Sequence, residues 1–302
     1  MSRLGYSTRS TKAGFIVKCG LVVPFFDADE VAEIAARAED SGWDGLFLAE
    51  AVWGVDAWVA LTAAAMRTDR IRLGTMLTPL PRIKPWDLAS RAGTLDRLSK
   101  GRVQLAVGLG ALHPGWTAFE PATSTRERAQ LLDEALAIYD GLMRGGPFSF
   151  QGEHYSVEPT DFFPPDPTVQ QPRVPVWVVG AHPSTRSLRR ATRWDGLVPN
   201  VITEEGVRGP QSPEELVSII DDARRLRTEA GLEWDGFDVI AEGITPADDR
   251  DAAAAQVGRW RDAGATWWIE SDWSIARNEV GRAALNTRID AGPPGPEELN
   301  TP

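Results

Sequence analysis

Between Ile71 and Gly110 the chain reads IRLGTMLTPLPRIKPWDLASRAGTLDRLSKGRVQLAVGLG, and no other stretch constrains the fold as much. IRLGTML and RVQLAVGL are short apolar runs of the kind that become buried parallel strands. Between them Trp86, Leu88, Ala92, Leu95 and Leu98 recur at helical spacing, with Pro85 placed to open the helix and SKG to turn the chain back. A strand–helix–strand unit of this length makes a right-handed crossover in a parallel sheet. Thr75, Thr78, Gly108 and Gly110 fall at the carboxyl ends of the two strands, where α/β folds bind their ligands.

The same alternation runs through the chain. FIVKCGLVV leads to a helix from about Asp29 to Ser41, with Asp29 as its N-cap, and DGLFLAE is the second strand. A helix over Val55–Met66 precedes the stretch above, and one over Thr125–Met143 follows it. VPVWVVG, DGLVPN, FDVIAEG and ATWWIE supply strands five to eight, with helices over Ser184–Thr192, Pro213–Ala230 and Asp249–Ala263 between them. Eight strands alternating with helices predict an α/β fold of the closed (β/α)8 TIM-barrel type, at a length suited to one such domain. An open doubly wound sheet fits less well, because no GxGxxG opens the first crossover.

Gly145–Arg173 interrupts this rhythm. FSFQGEHYSV is expected as a small hairpin and FFPPDPTVQQPRVP as an extended segment, together a surface excursion between strands four and five. The domain reading is a flexible extension over 1–16, one barrel over 17–290 and a flexible tail over 291–302.

A formal net charge of -11 without a basic run argues against nucleic acid as a partner. Cys19, alone in the chain, excludes an internal disulfide and reads as a core residue. His113, His154 and His182 are scattered and do not form a zinc motif. No apolar run approaches the roughly 18 residues of a membrane span, and the first residues lack the apolar core of a secretory signal, so a cytoplasmic protein is expected.

The strand ends carry the candidate site. Glu50 and Trp53 follow strand two; Thr75, Met76, Leu77 and Thr78, then Arg82, Lys84 and Trp86, follow strand three. Gly108, Leu109, Gly110, His113 and Trp116 follow strand four; Gly180, Ala181, His182, Ser184 and Thr185 follow strand five; Glu270, Ser271 and Trp273 follow strand eight. Ser184 and Thr185 open a helix with Arg186, Arg189 and Arg190 nearby, a pattern that suits a phosphate or ordinary capping. Trp53, Trp86 and Trp116 are candidate substrate-pocket walls, and Trp177 and Trp273 also fall near strand ends. Glu50 and His113 are the candidate proton-transfer groups. There is no GxSxG motif, no strand-end lysine and no paired histidines, so a bound cofactor is expected to carry the chemistry.

These residues resemble the luciferase-like flavin-dependent oxidoreductases, from about Val17 to Asp272. The resemblance rests on AARAEDSGWDGLFLAE, the Arg70–Gly110 block, RVPVWVVGAHPSTRSLRRATRWDGL and DAGATWWIE. It implies a barrel holding reduced FMN, or the deazaflavin coenzyme F420, at its carboxyl-end mouth. It further implies a non-proline cis peptide at Met76–Leu77, a phosphate loop over Ala181, His182, Ser184 and Thr185, and a homodimer through helices flanking strands two and three. One departure stands out: bacterial luciferases carry histidines after strand two, where this chain has Ala51 and Val52 behind the matching Glu50.

The leading expectation is therefore a monooxygenase that uses reduced FMN and oxygen on a small organic substrate, without useful light, its flavin supplied by a separate reductase. The alternatives are hydride transfer with F420, whose acidic tail Arg82 and Lys84 would meet, and a non-catalytic flavin-binding barrel. A sugar-phosphate isomerase or aldolase would require a strand-end lysine or Glu–His pair.

Overall fold

The computed structural model describes residues 17–24, 26–112, 114–160, 165–275, 278–295 and 297–300. Eight strands run parallel: β1 (Lys18–Val23), β2 (Gly45–Leu48), β3 (Arg72–Pro79), β4 (Val103–Gly108), β7 (Val176–His182), β8 (Gly196–Thr203), β10 (Asp238–Gly243) and β11 (Trp267–Glu270). The sheet order is β10-β11-β1-β2-β3-β4-β7-β8, and pairing of β10 with β8 closes the barrel. Between β4 and β7, β5 (Phe150–Gln151) and β6 (Ser156–Val157) form the expected antiparallel hairpin. The short β9 (Gly206–Arg208), which the sequence reading missed, folds back antiparallel on the end of β8.

The helices are α1 (Ala28–Asp40), α2 (Ala57–Ala65), α3 (Pro85–Leu98), α4 (Pro114–Thr117), α5 (Thr125–Arg144), α6 (Thr185–Ala191), α7 (Pro213–Glu229), α8 (Arg250–Asp262) and α9 (Glu279–Ala291). The N-cap of α1 is Asp27 rather than Asp29: Asp27 has the extended backbone of a cap, and its N–H donates to Glu30 at 3.2 Å.

Side-chain alternation along the strands builds two cores. Inward residues fill the barrel: Val22, Phe47, Met76, Ala106, Trp177, Val198, Ile240, Trp267 and Ile269. Phe47, Trp177 and Trp267 pack with ring centroids 5.2–6.0 Å apart. Trp177 is thus a barrel-core residue, not a wall of the mouth. Outward residues meet the helices in a larger layer that includes Cys19, 2% exposed, whose thiol burial pushes up to about 12.

The 145–173 segment is tied down from two sides. The Glu134 carboxylate on α5 accepts the N–H groups of Glu153, His154 and Tyr155 at 2.7–3.0 Å. Gln170 donates from its amide side chain to Asp96 and to the Val103 carbonyl, each at 2.8 Å. Among its described residues the tail contacts α8: Leu299 is buried, Glu298 pairs with Arg250 at 2.8 Å, and Arg261 donates to the Leu299 carbonyl. Its proline-rich composition signals local extension but carries no trace of the partners α8 supplies. Among the described residues no helix is long and apolar enough to cross a membrane.

Candidate active site

At the carboxyl ends of the strands two cavities adjoin, of about 510 and 470 Å³. Ala49, Glu50 and Leu77 line both and form the wall they share. Each lies within the size range of small-molecule and cofactor pockets. The register of β3 against β4 shifts between Thr75 and Thr78, and this irregularity presents Leu77 to both cavities. The Met76–Leu77 peptide is cis, as the resemblance implied.

Glu50 lies just past β2, and its side chain is only 11% exposed. Its carboxylate accepts from Thr78 Oγ1 at 2.6 Å and from Trp58 Nε1 at 3.3 Å, and Arg91 approaches to 3.6 Å. Thr78 Oγ1 lies 2.9 Å from Thr75 Oγ1, so both buried threonines belong to the polar network behind the carboxyl. Burial pushes the Glu50 pKa above its ordinary value, and the hydrogen bonds and Arg91 only partly offset this.

The first cavity sits over the barrel axis. Met76 and Ile240, from the top of the inner core, give it an apolar floor, and Asn200, Glu242 and Ser271 give it polar walls. Glu242 was not among the residues singled out from sequence. It lies two positions beyond the inward Ile240, so strand alternation directs it into the mouth. Protein atoms crowd it while its surface faces the cavity. Ser271 and Trp273 donate hydrogen bonds to it, and desolvation outweighs them, raising its pKa. The same alternation turns Glu270 outward, away from the mouth where sequence position put it. Glu270 accepts from Thr245 N at 3.0 Å and from Trp268 Nε1 at 3.0 Å, and faces Arg288 at 3.4 Å.

The second cavity is walled by Val52, Trp53, Pro79, Gly110, Trp116 and Phe119. Trp53 is 85% exposed and meets Phe119 at 6.5 Å between ring centroids. Trp116 is buried, donates to Glu120 at 3.0 Å and carries the Arg82 guanidinium over its ring at 5.1 Å. Gly110 has φ +72°, and a Cβ there would fall 2.3 Å from the Trp116 ring, so glycine is required on both counts. Of the three candidate walls, Trp86 is elsewhere: it packs edge-on against Tyr155, on the hairpin side, beneath Lys84. Arg82 pairs with Glu120 at 3.1 Å, so neither Arg82 nor Lys84 is an unengaged cation at the mouth.

The 180–185 loop does not line either cavity. Ser184 caps α6 by accepting from Ser187 N, Ser187 Oγ accepts from Ala181 N at 3.0 Å, and His182 faces Asp222 at 3.3 Å. Gly180 faces the outer helix layer, against Leu197, Leu188 and Ala191, and Thr185 lines a groove on the outer face. Gly108 ends β4 beside Val179 and Leu77, and Leu109 packs on the outer core. His113 lies outside the described residues. Arg208 on β9 reaches the first cavity but forms a two-pronged pair with Glu215 at 2.8 Å, which holds that carboxylate at about 2.

A closed parallel barrel whose mouth holds an apolar bed and two desolvated carboxyls has its candidate site at the strand ends, where barrels of this class bind their ligands. Residues 3–291 match the luciferase-like monooxygenase family model, and the chain belongs to that family. An F420-dependent glucose-6-phosphate dehydrogenase of Microbacterium testaceum is 28% identical over 78% of this chain and 69% of its own length. An F420-dependent secondary alcohol dehydrogenase, solved with an F420–acetone adduct, superimposes with a TM-score of 0.74, covering 95% of this chain and 100% of its own at 16% identity. A monooxygenase from Streptomyces bottropensis superimposes at 0.61, covering 82% and 77%, at 22% identity.

Proposed function

We propose that this protein is an F420-dependent oxidoreductase that transfers a hydride between the deazaflavin and a small alcohol or carbonyl substrate. The observation that carries the reading is the similarity, over 78% of the chain, to an F420-dependent dehydrogenase. It replaces FMN with oxygen as the leading reading; the family's own description keeps the monooxygenase as the rival outcome.

The first cavity suits a flat ring with an apolar face and a hydrogen-bonding edge. Met76, Leu77 and Ile240 offer the bed; Asn200, Glu242 and Ser271 offer the edge partners. When bound, the cofactor supplies the hydride acceptor and donor. The chain supplies the rest. Trp116, with Trp53 and Phe119 at its opening, offers an apolar substrate an aromatic wall in the second cavity. Glu50, on the shared wall, holds or takes the proton at the substrate oxygen, its raised pKa bringing it nearer neutrality. Arg208 is the cation at the first cavity and is already committed to Glu215, so the mouth is better suited to an uncharged substrate than to a phosphorylated sugar.

Fluorescence titration of the purified protein with oxidised F420 and with FMN, followed by anaerobic assay with simple alcohols, tests this. Tighter binding of F420 and its reduction without oxygen are expected. Tighter FMN binding with oxygen consumption would return the monooxygenase.

A further inference from the structure

In a chain with 43 acidic and 32 basic side chains, one face is strongly basic. Two adjoining cavities, of about 550 and 360 Å³, lie in the groove between α5 and α6 on the outside of the barrel. Arg126, Arg186, Arg189, Arg190 and Arg193 line them. Two of these are engaged: Arg190 with Asp133, Nη2 to Oδ2 at 2.8 Å, and Arg189 with Glu229 at 3.9 Å. Arg126, Arg186 and Arg193 have no acidic partner among the described residues.

The placement is as informative as the charge. Helices of a parallel barrel start at the rim where the preceding strand ends. Arg126 is the second residue of α5 and Arg186 the second of α6, so both stand at the rim. Arg193 lies just beyond the end of α6, at the far end of the groove, roughly 10 Å along the helix axis. Thr185, the first residue after the rim loop, lines the groove as well. A single phosphate would engage one end of such a row. A row of guanidinium forks matches a row of carboxylates.

We infer that the α5–α6 groove is a binding site for a polycarboxylate chain, and that its occupant is the acidic oligoglutamate tail of the deazaflavin coenzyme leaving the mouth beside Thr185. The assignment of the tail rests on the F420 reading; the groove as a polyanion site does not. FMN has no counterpart of this tail, so the groove distinguishes the two cofactors.

The test uses the full chain, three probes and one variant. The probes are F420 with its tail, the tail-less deazaflavin, and free γ-linked tetraglutamate. The variant replaces Arg126, Arg186 and Arg193 by serine, all exposed positions that line neither mouth cavity. Tailed F420 is expected to bind about tenfold more tightly than the tail-less form at low salt, the sum of several exposed ion pairs. Added salt should erode that advantage and the variant should abolish it, leaving tail-less binding unchanged. Equal affinity of the two forms, or an advantage that survives in the variant, overturns the inference. If neither deazaflavin binds, the cofactor reading fails. Calorimetry with tetraglutamate then decides the groove alone: binding to wild type and not to the variant upholds it, and no binding to wild type overturns it.

Discussion

The two ends of the barrel treat buried charge in opposite ways. At the closed end, charged side chains are saturated. Arg102 donates to the carbonyls of Ala65, Thr68, Ile71 and Ser99 and to the Thr68 hydroxyl, all at 2.8–3.0 Å. The Glu39 carboxylate accepts the N–H groups of Asp69, Arg70 and Ile71 at 2.5–3.1 Å; burial opposes its charge, yet these bonds take its pKa below the ordinary value. Asp195 accepts Val176 N at 2.7 Å while pairing with Arg173, and Asp44 accepts Cys19 N at 2.7 Å, although burial still raises the Asp44 pKa. Each of these groups fixes the entry to a strand. At the mouth, Glu50 and Glu242 are desolvated faster than they are compensated, and both face open cavities. At the closed end the charge is bound to backbone groups, even where burial still outweighs those bonds, as at Asp44 and Arg102; at the mouth it faces a cavity and is available to a ligand or a proton.

The largest expected effect that tests this contrast is at the closed end. Arg102→Met removes five donor contacts and leaves buried carbonyls of α2 and its following turn unpaired. A stability loss of about 3–5 kcal/mol is expected by denaturant titration. A loss below about 1 kcal/mol would mean that water replaces the guanidinium and that the closed end is not the rigid one.

At the mouth the expected pattern reverses. Glu50→Gln keeps the shape and can still meet Thr78, so the melting temperature should change little. Turnover should fall by about a hundredfold or more, the usual contribution of a proton-transfer group. Unchanged kcat across the pH range would remove Glu50 from the chemistry and leave it as a wall residue.

Legibility in the sequence divides along the same line. Repeating apolar strands and capped helices announce the barrel, because parallel strands buried on both faces write continuous apolar runs. The eighth helix, α9, escaped: EVGRAALNTRIDA buries only Leu285 and Ile289 among its larger apolar residues, and Arg37 and Trp43 secure it through hydrogen bonds from far along the chain. Glu50, Met76, Leu77, Trp53 and Trp116 were found from their positions at strand ends, and the structure brings them to the two cavities. Glu242 was missed and Glu270 misplaced for one reason. Both end a strand, and the end of a strand does not reveal the face a side chain occupies. Counting by twos from Ile240 and Trp268, whose sides are set by the core, would have separated them. Trp86 was unreadable in another way, since the hairpin that receives it arrives from more than fifty residues downstream.

The smallest effect is the most discriminating, because its sign is fixed in advance. Burial raises the Glu242 pKa above its ordinary 4.5, so the folded protein binds this proton in a pH range where the unfolded chain has released it. Stability then falls as pH rises from about 4.5 toward the folded-state pKa, and the cost persists above it. Glu242→Gln removes that titration while keeping an acceptor for Ser271 and Trp273. The variant should therefore lose less stability than the wild type as pH is raised from 4 to 7, and the two melting curves should draw together or cross. Parallel pH profiles would show that the burial of Glu242 is fully offset by its hydrogen bonds, and the contrast between the two ends would then rest on Glu50 alone. The same comparison in saturating F420 is the sharper form. A ligand edge that donates to the carboxylate should shrink the pH-dependent gap between wild type and variant, one that accepts from the protonated carboxyl should widen it, and a ligand seated elsewhere should leave it as it is.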